Sequence, residues 1–263
     1  MQKESIKFES STILEGMTSL SALLEGRRDG VNDRPIFRVL FDETRKEKEH
    51  RELDFLQKKA IEYGYELQLV PPDEIDRLAL GTTHGGVLAD CGERTLPRLA
   101  DCVENIEEKG FYAMIQGIED PYNFGYALRS LYACGASGII LSERNWFNAA
   151  GVVARSSAGA SERFRVFVSD PVDVIKLFHK KGYTVVCADE QTDNILHETP
   201  LKMPLLLIVG GERRGISKSI LEQADIVVKI PYGRDFRASL SAASATTILG
   251  YEILRQNFIS AEK

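Results

Sequence analysis

The sequence predicts an α/β protein of two domains, the second of which is built on a parallel sheet. Its 263 residues reach the size at which a single hydrophobic core usually stops growing, so two domains are expected. Its 43% hydrophobic and 27% charged residues are typical of a globular protein and exclude a disordered, collagenous or coiled-coil chain. After residue 110, short runs that are apolar on both faces alternate with segments that fit helices. This pattern is typical of parallel strands covered on both sides.

Residues 1–90 are predicted to form a small α/β domain. The apolar runs at 37–41, 65–70 and 86–89 are typical of strands. Residues 43–63 carry apolar side chains at helical spacing beside an ion-rich face, and residues 72–78 fit a short helix opened by proline.

Residues 91–109 are predicted to be a linker helix, because apolar residues share one face and Gly110 stands where a helix would stop. Residues 110–263 form the second predicted domain. Its longest helix comes last, over residues 239–258. The strands are predicted at 111–115, 138–141, 164–168, 184–188, 205–209 and 226–230. The apolar stripe of the last helix is Leu240, Ala243, Thr247, Tyr251, Leu254 and Phe258.

Composition excludes several functional classes. No run approaches the roughly 20 apolar residues that cross a bilayer, and the first ten residues are charged, so we expect a cytoplasmic protein with no membrane partner. The scattered cysteines and histidines predict buried free thiols and no metal site. The net charge of −6 argues against a protein that coats nucleic acid through bulk charge. One local basic cluster is either a solvated surface or a nucleic-acid contact. The cluster is Arg27, Arg28, Arg34 and Arg38.

Polar residues interrupt the strand pattern at three places in the second domain, first at residues 118–129. There Gly125 permits a close backbone approach where a helix opens, and Arg129 lies one turn further along. Asn123 is placed to cap that helix or to fix the loop. An arginine near the carboxyl end of a strand can bind an anion. The alternative is a capped helix whose arginine pairs with a neighbouring acid.

The second interruption follows a buried strand, at residues 208–216. Gly210 and Gly211 let main chain approach a flat ligand, and Glu212 offers an acceptor for an amino or hydroxyl group. The segment is neither Gly-x-Gly-x-x-Gly nor a phosphate-binding loop, which disfavours an ordinary nucleotide-dependent enzyme. An ordinary glycine turn with surface arginines is the alternative.

The third interruption, residues 230–241, leads directly into the final helix. Ser239 is the predicted N-cap, and the small residues at 241–245 permit close packing. Tight packing of a terminal helix explains the small residues. It does not explain why three such junctions occur in one sheet.

These three segments, in this order, resemble the three motifs of the SpoU/TrmH branch of the SPOUT RNA methyltransferases. The shared features are Asn-x-Gly-x-x-x-Arg, Gly-x-Glu-x-x-Gly-Ile, and Ile-Pro followed by Ser-Leu and a small-residue helix. The resemblance covers about residues 111–258, and residues 152–162 are similar to the family's linking segment. More weakly, residues 84–89 resemble the end of the ribosomal-protein-like substrate-binding domain of many rRNA members.

The resemblance implies a parallel-sheet methyltransferase domain with a C-terminal trefoil knot, preceded by a small α/β substrate-binding domain. The residues by themselves favour an unknotted doubly wound sheet, because true knots are rare. The resemblance further implies a homodimer that uses S-adenosylmethionine to methylate a ribose 2′-hydroxyl of RNA. Ribosomal RNA is the expected partner.

The resemblance also assigns residues. The catalytic positions are Asn123, Arg129, Glu212 and Ser239. The cofactor positions are Gly210, Gly211, Glu212, Ile230 and Leu240. Arg129 is also a predicted RNA contact. Arg155, Arg234 and Arg237 are further predicted RNA contacts that the resemblance does not assign. The chemistry of arginine supports an anion clamp at Arg129, whereas a role as proton acceptor rests on the family alone.

Two residues depart from the family pattern. Ser241 stands where asparagine is usual and Tyr232 where methionine is usual. The loop between Pro231 and Ser239 is also one residue longer than usual. A catalytically diverged RNA-binding or ribosome-assembly factor, or a tRNA 2′-O-methyltransferase, therefore remains an alternative.

Overall fold

The computed structural model describes residues 12–142, 149–211 and 215–258, and these form two compact units. The first unit combines residues 12–95 with residues 149–163, and the second contains the other described residues. Within the described residues, no helix is both long and apolar enough to cross a membrane.

Strands and helices are numbered in chain order. The strands are β1 Ile13–Glu15, β2 Ile36–Asp42, β3 Glu66–Val70, β4 Val87–Cys91, β5 Phe111–Ile115, β6 Gly138–Leu141, β7 Arg165–Val168, β8 Thr184–Ala188, β9 Leu205–Val209 and β10 Ile226–Val228. The helices are α1 Gly16–Arg28, α2 His50–Tyr63, α3 Pro72–Leu78, α4 Pro121–Ala133, α5 Ala150–Ser156, α6 Ala160–Arg163, α7 Pro171–Lys180, α8 Lys218–Leu221 and α9 Ala242–Asn257.

The first unit is built on a sheet in the order β1-β4-β2-β3, in which only β2 and β3 pair in parallel. The three strands predicted for this region are confirmed. Strand β1 and helix α1 were not predicted, because β1 is short and glycine and serine dilute the apolar pattern of α1. Leu20 and Leu23 of α1 are nevertheless fully buried in the core of the unit, so packing overrides weak propensity here.

A buried ionic cluster joins α6 to the rest of the first unit. The Glu162 carboxylate accepts from Arg34 Nε at 2.9 Å and from Asn32 Nδ2 at 2.8 Å, and Arg94 donates to the Ser161 carbonyl at 2.9 Å. Burial by itself would raise the pKa of Glu162, but the charges of Arg34 and Arg94 outweigh it and lower that pKa. Arg34 is therefore a buried partner of Glu162, not part of a solvated surface as the basic cluster suggested.

The second unit has a fully parallel sheet in the order β10-β8-β9-β5-β6-β7. This confirms the predicted parallel-sheet domain. Every residue of the central strands β5 and β9 is buried, which is why their sequences are apolar without alternation. The strands predicted here agree with β5 to β10 to within two residues at their ends.

The linker helix predicted over residues 91–109 is wrong. Two short 3₁₀ helices, Leu99–Asp101 and Val103–Asn105, stand in its place. Pro97 disfavours helix at the residue before it, and Arg98 is held in extended pairing with Val168. The helical spacing of apolar residues arises because Leu99 and Ile106 anchor an irregular segment in the core.

Helix α9 buries a different face from the one that its apolar stripe predicts. Within that stripe, Thr247, Tyr251 and Phe258 are exposed. The buried face consists of Ala242, Ala243, Thr246, Leu249, Gly250, Glu252 and Ile253. Small residues form much of it because α9 packs closely against α4.

All four cysteines are free thiols, and three of them are buried. Burial raises the pKa of Cys91 and of Cys187 to about 12, so both remain protonated at neutral pH. Among the described residues, no group of three or more histidine, cysteine or acidic side chains is arranged to hold a metal ion.

Candidate functional site

The strand order of the parallel sheet reverses between β5 and β9, which is the position at which such sheets form a crevice. The chain continues from β5 to β6 on one side, and from β9 to β10 on the other. In open α/β sheets, ligands bind at the carboxyl ends of the strands where the strand order reverses in this way. The loops after β5 and β9 carry the first and second polar interruptions.

These two loops are in direct contact. Strands β5 and β9 pair up to Ile115 and Val209, and the Gln116 N–H donates to the Val209 carbonyl at 2.9 Å. A side chain on Gly211 would collide with the carbonyl of Gly117. The absence of a side chain at Gly211 is therefore required for the two loops to meet.

The second loop also folds back on itself. Gly215 N donates to the Gly211 carbonyl at 3.0 Å, and a side chain on Gly210 would collide with the backbone of Gly215. Gly215 has a φ of +58°, in the left-handed region that favours glycine. Glu212 lies outside the described residues, between these two closely packed glycines.

Helix α4 begins directly after the first loop. Its N-cap is Asp120, whose carboxylate accepts from the Tyr122 N–H at 3.1 Å, so the capping role considered for Asn123 belongs to Asp120. Asn123 lies half-buried in the first turn of the helix. Phe124 and Gly125, which follow it, are buried.

Arg129 is exposed on α4, two turns from the start of the helix. Its side chain forms no ion pair or hydrogen bond within the part of the chain that the structure describes. The alternative of an arginine paired with a neighbouring acid therefore has no support in the described residues. A guanidinium in this state can bind an incoming anion.

Ser241, and not Ser239, is the N-cap of α9. The Ser241 hydroxyl accepts from the Ser244 N–H at 3.2 Å, whereas Ser239 lies exposed two residues earlier. A serine hydroxyl caps a helix about as well as the asparagine that the family pattern has there. The departure at position 241 thus preserves the start of α9.

Helices α4 and α9 run in the same direction. Ser130 Oγ lies 2.6 Å from Thr247 Oγ1, and one turn further along both helices Gly250 lies beside Cys134. Their N-termini are consequently at the same end. This brings the first turn of α4, with Asn123, to the end of the unit where residues 239–241 precede α9.

The segment before α9 has two parts. Lys229 pairs with residues 194–196, and Ile230 and Pro231 line a groove of about 490 Å³ against the exposed face of α9. Further on, the Leu240 N–H donates to the Tyr232 hydroxyl at 3.1 Å and closes a loop. Arg234 and Arg237 lie exposed on that loop. Among the described residues, no hydrogen bond joins Ile230 or Leu240 to the two glycine loops.

Arg155, which is predicted to contact RNA, lies in the first unit. Its Nη1 donates to the Glu15 carboxylate at 2.9 Å. Residues with a structural part in the site that were not singled out from the sequence are Gly117 and Asp120. Gly117 could have been recognised in the sequence as a glycine that follows a buried strand by two residues.

Comparisons with known proteins identify the family of both parts of the chain. The model of the SpoU rRNA Methylase family matches residues 110–251, and the model named RNA 2'-O ribose methyltransferase substrate binding matches residues 13–97. A putative TrmH family tRNA/rRNA methyltransferase of Bacillus subtilis is 28% identical over 229 residues, which cover 86% of this chain and 90% of the relative. A 23S rRNA (guanosine-2'-O-)-methyltransferase of Shewanella oneidensis is 28% identical over 212 residues, with 80% of this chain and 86% of the relative covered.

Solved structures show the same fold. The SpoU methyltransferase AviRb from Streptomyces viridochromogenes, in complex with the cofactor AdoMet, aligns with a TM-score of 0.74 and 22% identity over 97% of this chain and 96% of that one. An AdoMet-bound rRNA methyltransferase from Sinorhizobium meliloti aligns with a TM-score of 0.77 and 20% identity over 99% and 92% of the two chains. Because the SpoU family model matches more than half of the sequence, residues 110–251, this protein belongs to the SpoU rRNA methylase family.

Proposed function

We propose that this protein transfers a methyl group from S-adenosylmethionine to a ribose 2′-hydroxyl of ribosomal RNA. One arrangement carries the proposal: two glycine loops meet at the crevice between β5 and β9, and the helix that begins there bears Arg129 without a partner among the described residues. Family membership and the AdoMet-bound structures of similar fold support it.

The residues of the crevice fit S-adenosylmethionine. Side chains at Gly210 and Gly211 would collide with the backbone of Gly215 and of Gly117, so this part of the crevice is bare main chain, and such backbone suits a flat adenine. The residues that would hold the cofactor are Gly210, Gly211, Glu212, Ile230 and Leu240. When bound, S-adenosylmethionine supplies a methyl group already activated by the sulfonium, so the protein's task is alignment and help with a weakly acidic hydroxyl.

Arg129 would clamp the phosphate and ribose of the target nucleotide. A guanidinium donates to two oxygens at once and stabilises negative charge as the 2′-hydroxyl loses its proton. Because the pKa of arginine exceeds about 12, the guanidinium is a poor base, and electrostatic stabilisation is the role its chemistry supports. Asn123, Glu212 and Ser239 would position the ribose, and Arg234 and Arg237 would contact RNA from their exposed loop.

Variants of Arg129 test this proposal directly. Arg129→Ala should lower the rate of tritiated methyl transfer to RNA on the order of 10²-fold, because an electrostatic donor at the reacting oxygen is lost. Arg129→Lys should recover only part of the rate, since lysine cannot bind in a bidentate way. Lys176→Ala, at an exposed cation on α7, is the matched control and should leave the rate unchanged. Wild-type rates in Arg129→Ala would remove Arg129 from the chemistry.

Ribosomal RNA is proposed because the first unit matches a substrate-binding model and because the relative from Shewanella is named for 23S rRNA. Other relatives are named for tRNA or rRNA, so tRNA is the competing substrate. Mapping of 2′-O-methyl sites in RNA from cells with and without the protein decides between them. A site lost from tRNA alone would reject ribosomal RNA.

We further propose a homodimer, a trefoil knot near the C-terminus, a cytoplasmic location and no metal requirement. The exposed Ile248 and Tyr251 of α9 support the dimer. The return of the chain from the edge strand β10 to pack α9 against α4 supports the knot. A non-catalytic RNA-binding or assembly factor is less well supported. The reason for considering it was the serine at position 241, and Ser241 still caps α9.

A further inference from the structure

Residues 149–163 belong to the sequence of the methylase domain but fold with the first unit. Helix α5 packs against β1, and α6 packs against α1. Charged side chains attach this segment: Glu162, through the buried cluster described above, Arg163, which pairs with Glu25, and Arg155. The contacts of Arg155 lead to an exposed loop, residues 80–86.

The carboxylate of Glu15 connects Arg155 to this loop. Glu15 is only 4% exposed, and its Oε2 accepts from Arg155 Nη1 at 2.9 Å. Its Oε1 accepts from the main-chain N–H of Gly81 at 3.2 Å and from that of Leu80. A side chain on Gly81 would collide with the Arg155 guanidinium. Arg155 and Glu15 therefore fix the first residues of the loop.

The other end of the loop is fixed independently. His84 Nδ1 accepts from the Gly86 N–H at 3.1 Å, and His84 Nε2 lies 3.1 Å from Asp76 Oδ1. Arg45 donates to the Gly85 carbonyl. Gly85 and Gly86 have φ values of +60° and +77°, which side chains would disfavour.

The middle of the loop faces solvent. Thr82, Thr83 and Gly85 are exposed, and the main-chain N–H groups of residues 82–85 donate to no acceptor among the described residues. A loop held at both ends that offers consecutive backbone donors and two hydroxyls is suited to phosphate oxygens. The two arginines beside the loop, Arg45 and Arg155, are paired with acids, so the attraction would come from hydrogen-bond donors rather than net charge.

We propose that residues 80–86 bind the sugar-phosphate backbone of the substrate RNA, and that Arg155 and Glu15 are positioning residues that hold this loop. The inference rests on the proposed function in taking RNA as the substrate. It gives Arg155 a different role from the direct RNA contact predicted in the sequence analysis.

Amide hydrogen exchange tests the loop without depending on methyl transfer. Added protein-free ribosomal RNA should slow exchange at residues 82–85 of the wild-type protein. In Arg155→Met, which keeps the apolar stem but loses the guanidinium, Leu80 and Gly81 should exchange faster without RNA, and RNA protection at 82–85 should be lost. Unchanged exchange at Leu80 and Gly81, or no RNA protection in the wild type, would overturn the proposal.

Steady-state kinetics supply a second readout. Arg155→Met should raise the KM for RNA about tenfold and leave kcat and S-adenosylmethionine affinity unchanged, because the anchor acts on RNA docking alone. A raised KM with normal exchange at Leu80 and Gly81 would show a direct contact by Arg155 and reject the positioning role.

Thr83→Glu covers the case in which Arg155→Met fails to fold. It places a negative charge on the exposed loop without touching an anchor, and it should also raise the KM about tenfold. Gln57→Glu, which adds the same charge at an exposed site on α2, is the control and should leave the KM unchanged. RNA protection at 82–85 without any methyl transfer would support the loop assignment while rejecting the proposed enzyme activity.

Discussion

At the scale of single residues, Ser241 shows how a departure from a family pattern can keep its physical role. Its hydroxyl accepts from the Ser244 N–H and satisfies one of the main-chain donors left free at the start of α9. Asparagine would accept the same bond with its amide oxygen. The sequence showed the substitution, but only the position of the helix start showed that 241 is the cap and 239 is not.

Ser241→Ala should lower the free energy of unfolding by about 1 kcal/mol, because the cap is lost and a main-chain donor is left unsatisfied. Ser239→Ala is the matched control and should change that free energy by less than about 0.5 kcal/mol, since Ser239 is exposed outside the helix. Urea unfolding of both variants provides the measurement. Equal effects of the two changes would contradict the assignment of the cap.

At the scale of elements, the loops after β5 and β9 depend on missing side chains. Gly211 meets the Gly117 carbonyl so closely that even a methyl group must displace backbone. Because the strands before these loops are paired and buried, the loops cannot separate easily. The shape of the crevice is therefore set by the glycines together with the sheet.

Gly211→Ala should destabilise the protein by about 1–3 kcal/mol, as overpacking usually does, and should weaken S-adenosylmethionine binding. Thermal unfolding and titration calorimetry measure the two effects. Gly233→Ala is the stability control, because nothing lies within 4 Å of the site where its Cβ would stand. Normal stability together with normal cofactor affinity in Gly211→Ala would show that the two loops do not meet as described.

Helix α6 depends on the ionic contacts of Glu162. Glu162→Gln should destabilise the first unit by about 3–5 kcal/mol, because the Arg34 charge is left buried without a counterion. Glu25→Gln, at an exposed pair with Arg163, should cost less than about 1 kcal/mol. Denaturant unfolding at neutral pH compares the two, and similar small losses would contradict the importance of the buried cluster.

The lowered pKa of Glu162 also predicts a pH dependence. Its contribution to stability is present above the pKa of an unfolded glutamate, about 4.3, and is lost as the pH falls towards the lower pKa of the folded state. The unfolding free energy of the wild type should therefore fall more steeply below about pH 4.3 than that of Glu162→Gln. Parallel pH profiles would contradict the ionised state of the buried carboxylate.

At the scale of the whole molecule, the exposed face of α9 is a candidate surface for binding a partner. Ile248 and Tyr251 line the groove formed with Ile230 and Pro231, and Tyr251 is 59% exposed. Exposed apolar side chains gathered at one groove are typical of protein interfaces. A second copy of the chain is the occupant that the family resemblance implies.

Tyr251→Glu should convert the proposed dimer into a monomer, because it places a charge in the groove proposed as the interface. Light scattering after size exclusion should give about twice the chain mass of 29.4 kDa for the wild type and that single mass for the variant. Ile61→Glu, at an 88% exposed residue of α2, is the matched control and should stay dimeric. A monomeric wild type would reject the dimer.

Much of the fold and of the candidate site could be predicted, for identifiable reasons. Strands such as β5 and β9 are buried on both faces, so their apolar runs are visible in the sequence. Helix α1 was missed because tertiary packing stabilises a segment rich in glycine and serine. The linker helix was wrong because anchored side chains in an irregular segment happened to fall at helical spacing.

The sequence by itself determined the parallel sheet, the order of the three motifs and the residues that could carry the chemistry, because these depend on neighbours along the chain. The tertiary structure alone decided which face of α9 is buried and that residues 149–163 join the first unit. Arg155 meets Glu15 across 140 positions, and Glu162 meets Arg34 across 128. Pairs so distant in sequence leave no periodic pattern, since only folding brings them together.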